Sequence, residues 1–157
     1  MQIEEDSAKV KFSPPFIYLG GLLLGLFIGW LLDVPSFDID ETTKFVAAAV
    51  LILLGLGIGI SGMSLFRRRG TNVEPWRAST IIVSDGIFRW TRNPMYLGMA
   101  LVYAGLAIGF ESFAAFLVLP IVLIVIRTYV IAREERYLET KFGDEYRRYK
   151  QQVRRWI

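Results

Sequence analysis

The chain has 157 residues, of which 54% are hydrophobic, and its mean hydropathy is +0.42. This composition is too apolar for an ordinary soluble domain of this size and predicts a single integral membrane domain over residues 1–157. The formal net charge is +3, and the sequence contains neither His nor Cys. Imidazole acid/base chemistry, thiolate nucleophiles, disulfides and His- or Cys-ligated metals are therefore excluded, and no metal partner is expected.

Four apolar stretches are candidate membrane spans when measured against the roughly 20 residues that cross a ~30 Å hydrocarbon core. The first begins with Pro14 and Pro15, which suit the first turn of a helix. Only Glu111 and Ser112 clearly separate the third stretch from the fourth, so these two should form a tight antiparallel hairpin. The sequence thus predicts an all-α, polytopic membrane helical bundle with four spans at about 14–32, 44–66, 94–110 and 113–132.

The charges outside the spans predict the orientation. Four acidic residues and one Lys lie between the first two spans, whereas six arginines lie between residues 67 and 92. Residues 133–157 are also rich in Lys and Arg, and basic segments stay on the cytoplasmic side. Two spans separate these basic segments, so both fall on one face and both termini are predicted to be cytoplasmic. Aromatic residues interleave with the basic tail, which favours an amphipathic interfacial helix over a nucleic-acid groove.

The first two spans each carry a stripe of glycines at intervals of about four residues. The stripes are Gly21, Gly25 and Gly29 in the first span and Gly55, Gly59 and Gly62 in the second. Small residues at this spacing let helix backbones approach closely. The string from Gly57 to Gly62 also reads GxGxxG, but no strand precedes it and it lies inside a hydrophobic helix. We therefore interpret it as a helix-packing feature.

A polar and aromatic cluster, GIFRWTRNPMYLG at residues 86–98, stands where the third span begins. The residue before a proline is held out of the helical region, and proline suits the first helical position, so Asn93 is expected to cap the span that Pro94 opens. Glu134 and Glu135 follow the fourth span. Because a hairpin brings its two ends to one face, the cluster and the two glutamates are predicted to form one site.

Several of these residues also have simpler interpretations. Glu134 and Glu135 would form salt bridges with Arg133 or Arg136 on a solvated helix. Trp90 suits the aromatic belt at a membrane surface, and the arginines at 67–69 suit a stop-transfer cluster. Single residues do not decide between these alternatives and a functional site.

Three strings in the second half of the chain are more specific together: RNPMYLG at 92–98, EERYL at 134–138 and FGDEYRRY at 142–149. In this order and spacing they resemble the isoprenylcysteine carboxyl methyltransferase family and its phospholipid N-methyltransferase relatives, over roughly residues 71–149. The resemblance implies a polytopic enzyme that uses S-adenosyl-L-methionine (SAM) and releases S-adenosyl-L-homocysteine (SAH). It places the cofactor on the cytoplasmic side, between residues 67–93 and 133–157. So small a chain is similar to prokaryotic members, which implies a prokaryotic inner membrane.

The resemblance also implies roles for individual residues. The implied cofactor-binding residues are Thr80, Ile81, Ile82, Val83, Phe88, Asn93, Pro94, Met95, Tyr96, Glu134 and Glu135. Glu134 matches the carboxylate that holds the ammonium of SAM. Methyl transfer needs no acid or base, so the catalytic residues stay unassigned, and Asn93 and Glu134 are the best candidates for orienting the reactants.

Two positions depart from the family pattern. Asn93 stands where His is common, and Val130 stands where the prenylcysteine enzymes carry an Arg for the substrate carboxylate. Arg127, Arg133 and Trp90 are therefore the candidate substrate residues.

The methyl acceptor stays open at this point. A lipid-soluble acceptor that arrives laterally from the membrane is expected, with a carboxylate like that of an isoprenylcysteine, a phospholipid amine or a small hydrophobic thiol. Two other functions are compatible with the sequence: an NADPH-dependent reductase related to sterol reductases, and a non-catalytic lipid-binding or assembly protein. Whether Pro120 kinks the fourth span into a lateral gate is also open. Nucleic acid is not an expected partner.

Overall fold

The computed structural model of the protein describes residues 4–156, so the two ends of the predicted domain, residues 1–3 and 157, lie outside the described residues. Within 4–156 every regular element is helical, as predicted. The elements are α1 (Pro14–Leu31), α2 (Glu41–Arg68), a short 3₁₀ helix (Gly86–Arg89), α3 (Pro94–Gly109), α4 (Phe113–Val125), a π-helical segment (Ile126–Ile131), α5 (Ala132–Phe142) and α6 (Asp144–Gln152).

Within residues 4–156, three helices are long and apolar enough to cross a membrane: α1, α2 and the continuous run from α4 to the end of α5. Helix α3 is also apolar but has only 16 residues, or about 24 Å at the α-helical rise. Large apolar side chains on α1 and α2, among them Trp30, Leu53 and Ile60, are exposed, as expected of surfaces that face lipid. The protein is therefore an integral membrane helical bundle, and a total of four spans stays a prediction.

The helix that contains the fourth apolar stretch continues beyond that stretch. The helix that starts at Phe113 continues through Pro120 and the π-helical segment as far as Phe142. Charged residues crowd the chain from Arg133 onward, and the span at about 113–132 stays a prediction. Helix α5 extends beyond it as an amphipathic helix.

Glycines bring the helix backbones into direct contact. A Cβ added at Gly25 of α1 would lie 2.4 Å from the Cα of Ala115 in α4. A Cβ added at Gly98 of α3 would lie 2.5 Å from the carbonyl oxygen of Gly55 in α2. Real Cβ atoms do not approach so closely, so α1 packs on α4 and α2 packs on α3 only because these positions are glycine. The predicted packing role is confirmed at Gly21, Gly25, Gly29, Gly55 and Gly62, but a Cβ added at Gly59 or Gly57 would have no neighbour within 4 Å.

The bundle has two chemically different ends. At one end, Lys44 at the start of α2 lies 2.7 Å from Glu111 in the turn between α3 and α4. At the other end the N-terminal residues, the loop after α2 and helices α5 and α6 meet. There the Glu4 amide donates to the Trp76 carbonyl at 3.0 Å. We call this second end, formed by residues 4–12, 69–93 and 132–156, the polar face.

Candidate functional site

A cavity of about 90 Å³ lies at the polar face, between the loop after α2, the start of α3 and helix α5. Nine of the eleven residues predicted to bind a cofactor line it. They are Ile81, Ile82, Val83, Phe88, Asn93, Met95, Tyr96, Glu134 and Glu135. The other two lie beside the cavity: Pro94 is fully buried, and the Thr80 amide donates to the Thr71 hydroxyl at 3.0 Å. The predicted meeting of the 86–98 cluster with the two glutamates is observed.

The three candidate substrate residues do not line this cavity. Trp90 is 80% exposed, and Arg127 is exposed on the π-helical segment. The Arg133 guanidinium lies 4.9 Å from the centre of the Tyr129 ring. Val130, the position that departs from the family pattern, is fully buried. A role for the three candidates in substrate binding therefore stays a prediction.

Glu134 accepts a hydrogen bond of 2.7 Å from the Tyr96 hydroxyl at the wall of the cavity. Tyr96 is held in turn by Tyr18 of α1, whose hydroxyl donates to the Tyr96 carbonyl at 2.9 Å. Within residues 4–156, no Lys or Arg forms a salt bridge with Glu134. Burial raises the pKa of the Glu134 carboxyl to about 7, and a cationic group in the cavity would favour its ionised form.

Glu135 is buried and fully paired. Arg92 donates to it through Nη2 at 2.7 Å, and Arg155 donates through Nε at 3.0 Å and also through Nη2. The hydrogen bond to Glu135 raises the pKa of Arg155 above its ordinary value. The salt-bridge alternative thus holds for Glu135, although its partners come from distant parts of the chain rather than from Arg133 or Arg136.

The side chain of Asn93 does not cap α3, contrary to the prediction. Asn93 precedes the helix, but its amide makes no capping bond and donates instead to the Arg155 carbonyl at 2.8 Å. The Thr91 hydroxyl donates to the same carbonyl at 3.2 Å, and the Arg92 amide donates to the Arg154 carbonyl at 3.0 Å. The chain after α6 folds back and places the Arg155 carbonyl beside Asn93, and the amide of the buried Asn93 side chain binds this carbonyl.

Arg92 carries a donor that has no partner among the described residues. Its Nη1 donates to the carbonyls of Lys150 and Val153 at 2.9 and 2.8 Å, and its Nη2 donates to Glu135. The Nε–H is buried and makes no hydrogen bond within residues 4–156. Leaving a buried donor unpaired costs about 1–3 kcal/mol. Arg92 is also one of the residues that line the cavity, so its guanidinium adds positive charge to this wall.

Three tyrosines of the cavity wall were missed by sequence reasoning: Tyr137 of α5, and Tyr146 and Tyr149 of α6. The Tyr149 hydroxyl donates to the Phe88 carbonyl at 2.8 Å. Burial raises the pKa of both Tyr146 and Tyr149, so their hydroxyls stay protonated donors. A signal was present, because Tyr146, Tyr149 and Val153 follow the spacing of one helix face.

Parts of the chain are similar to a known protein family and to known proteins. The phospholipid methyltransferase family model matches residues 43–145. An uncharacterized protein of Haemophilus influenzae is 51% identical over 63 residues, which are 40% of this chain and 100% of that protein. Protein-S-isoprenylcysteine O-methyltransferase of Schizosaccharomyces pombe is 33% identical over 73 residues, which are 46% of this chain and 31% of that protein. No solved structure matches the chain.

Proposed function

Because the chain belongs to the phospholipid methyltransferase family, we propose that it is a membrane methyltransferase that takes its methyl group from SAM. One observation carries the cofactor assignment. Glu134, whose carboxyl forms no salt bridge within residues 4–156, lines the same cavity as Arg92, whose buried Nε–H has no hydrogen-bond partner among those residues. This pair of groups complements the ammonium and the carboxylate that SAM presents at its amino-acid end.

The remaining walls of the cavity also fit SAM. Ile82, Val83 and Phe88 form an apolar and aromatic wall that suits an adenine ring and a sulfonium. Val83 and Phe88 are buried, so this wall is rigid. When bound, SAM supplies a methyl group that its sulfonium has already activated.

The protein then has to orient the reactants and exclude water. The hydrogen bonds from Tyr18 to Tyr96 and from Tyr96 to Glu134 connect α1, α3 and α5 and fix the position of the carboxylate. Glu134 is therefore the residue that we assign to orientation of the cofactor. Asn93 contributes indirectly, since its amide holds the returning chain at Arg155.

A second, larger cavity of about 730 Å³ supports lateral access for a lipid-soluble acceptor. It is a groove between α1 and α2 with α3 as its floor, and apolar residues such as Leu22, Ile60 and Met99 line it. The groove shares seven lining residues with the cofactor cavity. They are Asn72, Val73, Glu74, Pro75, Arg77, Met95 and Tyr96. The acceptor would therefore approach between α1 and α2, and not at Pro120 of α4.

The proposed enzyme is one domain in a prokaryotic inner membrane, with the polar face and both termini in the cytoplasm. The basic residues of the polar face support this orientation. The acceptor is a lipid with a carboxylate like that of an isoprenylcysteine, a phospholipid amine or a small hydrophobic thiol. Each of these pairs a polar, methylatable group with apolar chains of the kind that the groove accommodates.

The experiment that tests the proposal has two steps. Calorimetry on the detergent-purified protein should detect binding of SAH, with NADPH titrated in parallel. The protein is then incubated with SAM labelled in its methyl group and a total lipid extract, and the labelled product is identified by mass spectrometry. We expect SAH binding and label in a lipid. Binding of NADPH without SAH would indicate a reductase, and binding of neither would indicate a non-catalytic protein; either result overturns the proposal.

A further inference from the structure

Residues 4–12 form a bent, non-helical segment that packs on the polar face, and we call this segment the strap. The strap lies outside residues 43–145, which match the family model. Ser7 and Ala8 are buried, and Val10 is fully enclosed. Ala8 also lines the cofactor cavity. This chain therefore closes its cavity with a segment that the family match does not include.

The strap contacts both the loop after α2 and helix α5, which the Ser79 amide also joins directly by donating to the Tyr137 hydroxyl at 3.0 Å. On the side of the loop after α2, the Ala78 amide donates to Glu4 Oε2 at 2.7 Å. On the side of α5, the Tyr137 hydroxyl donates to the Asp6 carbonyl at 3.2 Å, and Lys141 forms an ion pair with the Asp6 carboxylate. Glu4 and Asp6 thus fasten one short segment to both of these elements.

The cavity under the strap is too small for the cofactor that we propose. Its volume is about 90 Å³, whereas sites for small molecules and cofactors typically have ≈ 300–1,000 Å³. A wall of the cavity therefore has to move before a molecule the size of SAM is admitted.

The strap is held most weakly at residues 4–6, which are exposed, whereas Ala8 and Val10 are packed in the hydrophobic core. Helix α3 is locked against α2 by backbone contact at Gly98, and the turn at 91–93 is locked by the buried pair of Arg92 and Glu135. By contrast, Asp6 is largely exposed, and exposed ion pairs contribute little to stability.

We propose that the strap is a lid that opens to admit SAM, closes over it and opens again to release SAH. The inference rests on the proposed function. The latches are Glu4 against the loop after α2 and Asp6 against α5. The strap runs directly into α1, whose residues from Pro14 to Leu22 line the acceptor groove, so the lid is continuous with one wall of that groove.

Stopped-flow measurement of SAH binding tests the lid in two directions. The double variant Glu4→Ala/Asp6→Ala removes the side-chain contact of each latch, and we expect SAH to dissociate at least tenfold faster than from the wild-type protein. The matched control is Glu5→Ala, because Glu5 is exposed in the same segment and outside the cavity; its rates should equal the wild-type rates.

Cross-linking supplies the opposite perturbation, because the chain contains no Cys. The variant Asp6→Cys/Lys141→Cys, joined by a short bismaleimide, should bind and release SAH at least tenfold more slowly than the same protein before treatment. Each single-Cys variant treated with the reagent serves as the control. Unchanged rates in both the latch variant and the cross-linked protein would overturn the lid.

Hydrogen exchange on the wild-type protein keeps the test independent of how the variants fold. The amides of Ala78 and Lys11 bond to Glu4 and to the Tyr129 hydroxyl, respectively. We expect them to exchange at least tenfold more slowly with SAH bound. Equal exchange with and without bound SAH would contradict the lid, whereas failure of the wild-type protein to bind SAH would refute the proposed function and the lid with it.

Discussion

Consecutive residues on an α-helix point about 100° apart, and this rotation gives the two glutamates of α5 different roles. Glu134 faces Tyr96 and the cavity, where it accepts a single side-chain hydrogen bond from a neutral group. Glu135 faces Arg92 and Arg155, which neutralise it. A ligand ammonium in the cavity therefore gains a charge partner at Glu134, whereas at Glu135 it would have to compete with two arginines.

The variant Glu134→Gln should separate ligand binding from stability. We expect the affinity for SAH to fall at least tenfold, because truncating one partner of a desolvated charge pair costs about 2–5 kcal/mol. The amide oxygen still accepts the hydrogen bond from Tyr96, so the melting temperature of the ligand-free protein should not fall. Calorimetry and thermal unfolding in detergent measure the two effects. Unchanged SAH affinity would remove Glu134 from the site.

The variant Glu135→Gln should have its main effect on stability. The side chains of Glu135 and Arg92 are only 8% and 10% exposed, and breaking a buried ion pair by removing one partner costs about 3–5 kcal/mol. We expect a fall of several degrees in the melting temperature, together with faster proteolysis of the segment after α6. A melting temperature equal to that of Glu134→Gln would contradict the assignment of Glu135 as the structural carboxylate.

Residues of the site that lie in short sequence motifs could be predicted, whereas contacts between residues far apart in the chain could not. Glu134, Tyr96 and Phe88 were identified because they lie in contiguous motifs. Arg155 was missed because its approach to Glu135 depends on the reversal at Gly143, which has a φ of +55°. The same reversal brings the Arg155 carbonyl next to the Asn93 side chain. The capping rule considers only neighbouring residues, so it predicted the wrong hydrogen-bond partner for Asn93.

At the scale of helices, apolar length predicts most boundaries. Helix α1 begins at Pro14 and α3 at Pro94, as expected, while α2 begins at Glu41, three residues before the predicted start at 44. The fourth helix runs on to Phe142 as the polar helix α5, which is held by contacts at the polar face. Nothing in the string IRTYVI marks residues 126–131 as π-helical.

The contact between α2 and α3 yields a prediction with an internal control. In the variant Gly98→Ala the new Cβ would lie 2.5 Å from the Gly55 carbonyl oxygen, so the two backbones have to separate. We expect a lower melting temperature and weaker SAH binding, since α3 carries Tyr96 into the site. Gly57→Ala, which adds a Cβ with no neighbour within 4 Å, should keep both properties. Equal effects of the two substitutions would show that close packing at Gly98 is unimportant.

At the scale of the whole molecule, the fold sorts charge between the two ends of the bundle. The arginines of the loop after α2 and the basic residues of α5 and α6 lie together at the polar face, whereas the acidic segment between α1 and α2 lies at the opposite end beside Lys44 and Glu111. The two basic segments can lie at the same end only if the chain crosses the bundle an even number of times between them, and α3 and α4 supply two crossings. The positive-inside rule, which uses only the charges of the loops, also predicts that the two basic segments lie on the same side.

Site-directed labelling can establish which end is cytoplasmic, because the natural chain has no Cys to interfere. Asp38→Cys places a thiol in the acidic segment, and Arg89→Cys places one in the basic loop after α2. Basic segments remain on the cytoplasmic side of a bacterial inner membrane. With a maleimide that does not cross this membrane, Asp38→Cys should react in cells whose outer membrane is permeabilised, and Arg89→Cys only after lysis. The reverse pattern would place the polar face, and with it the cavity assigned to SAM, on the side of the membrane away from the cytoplasmic pool of the cofactor.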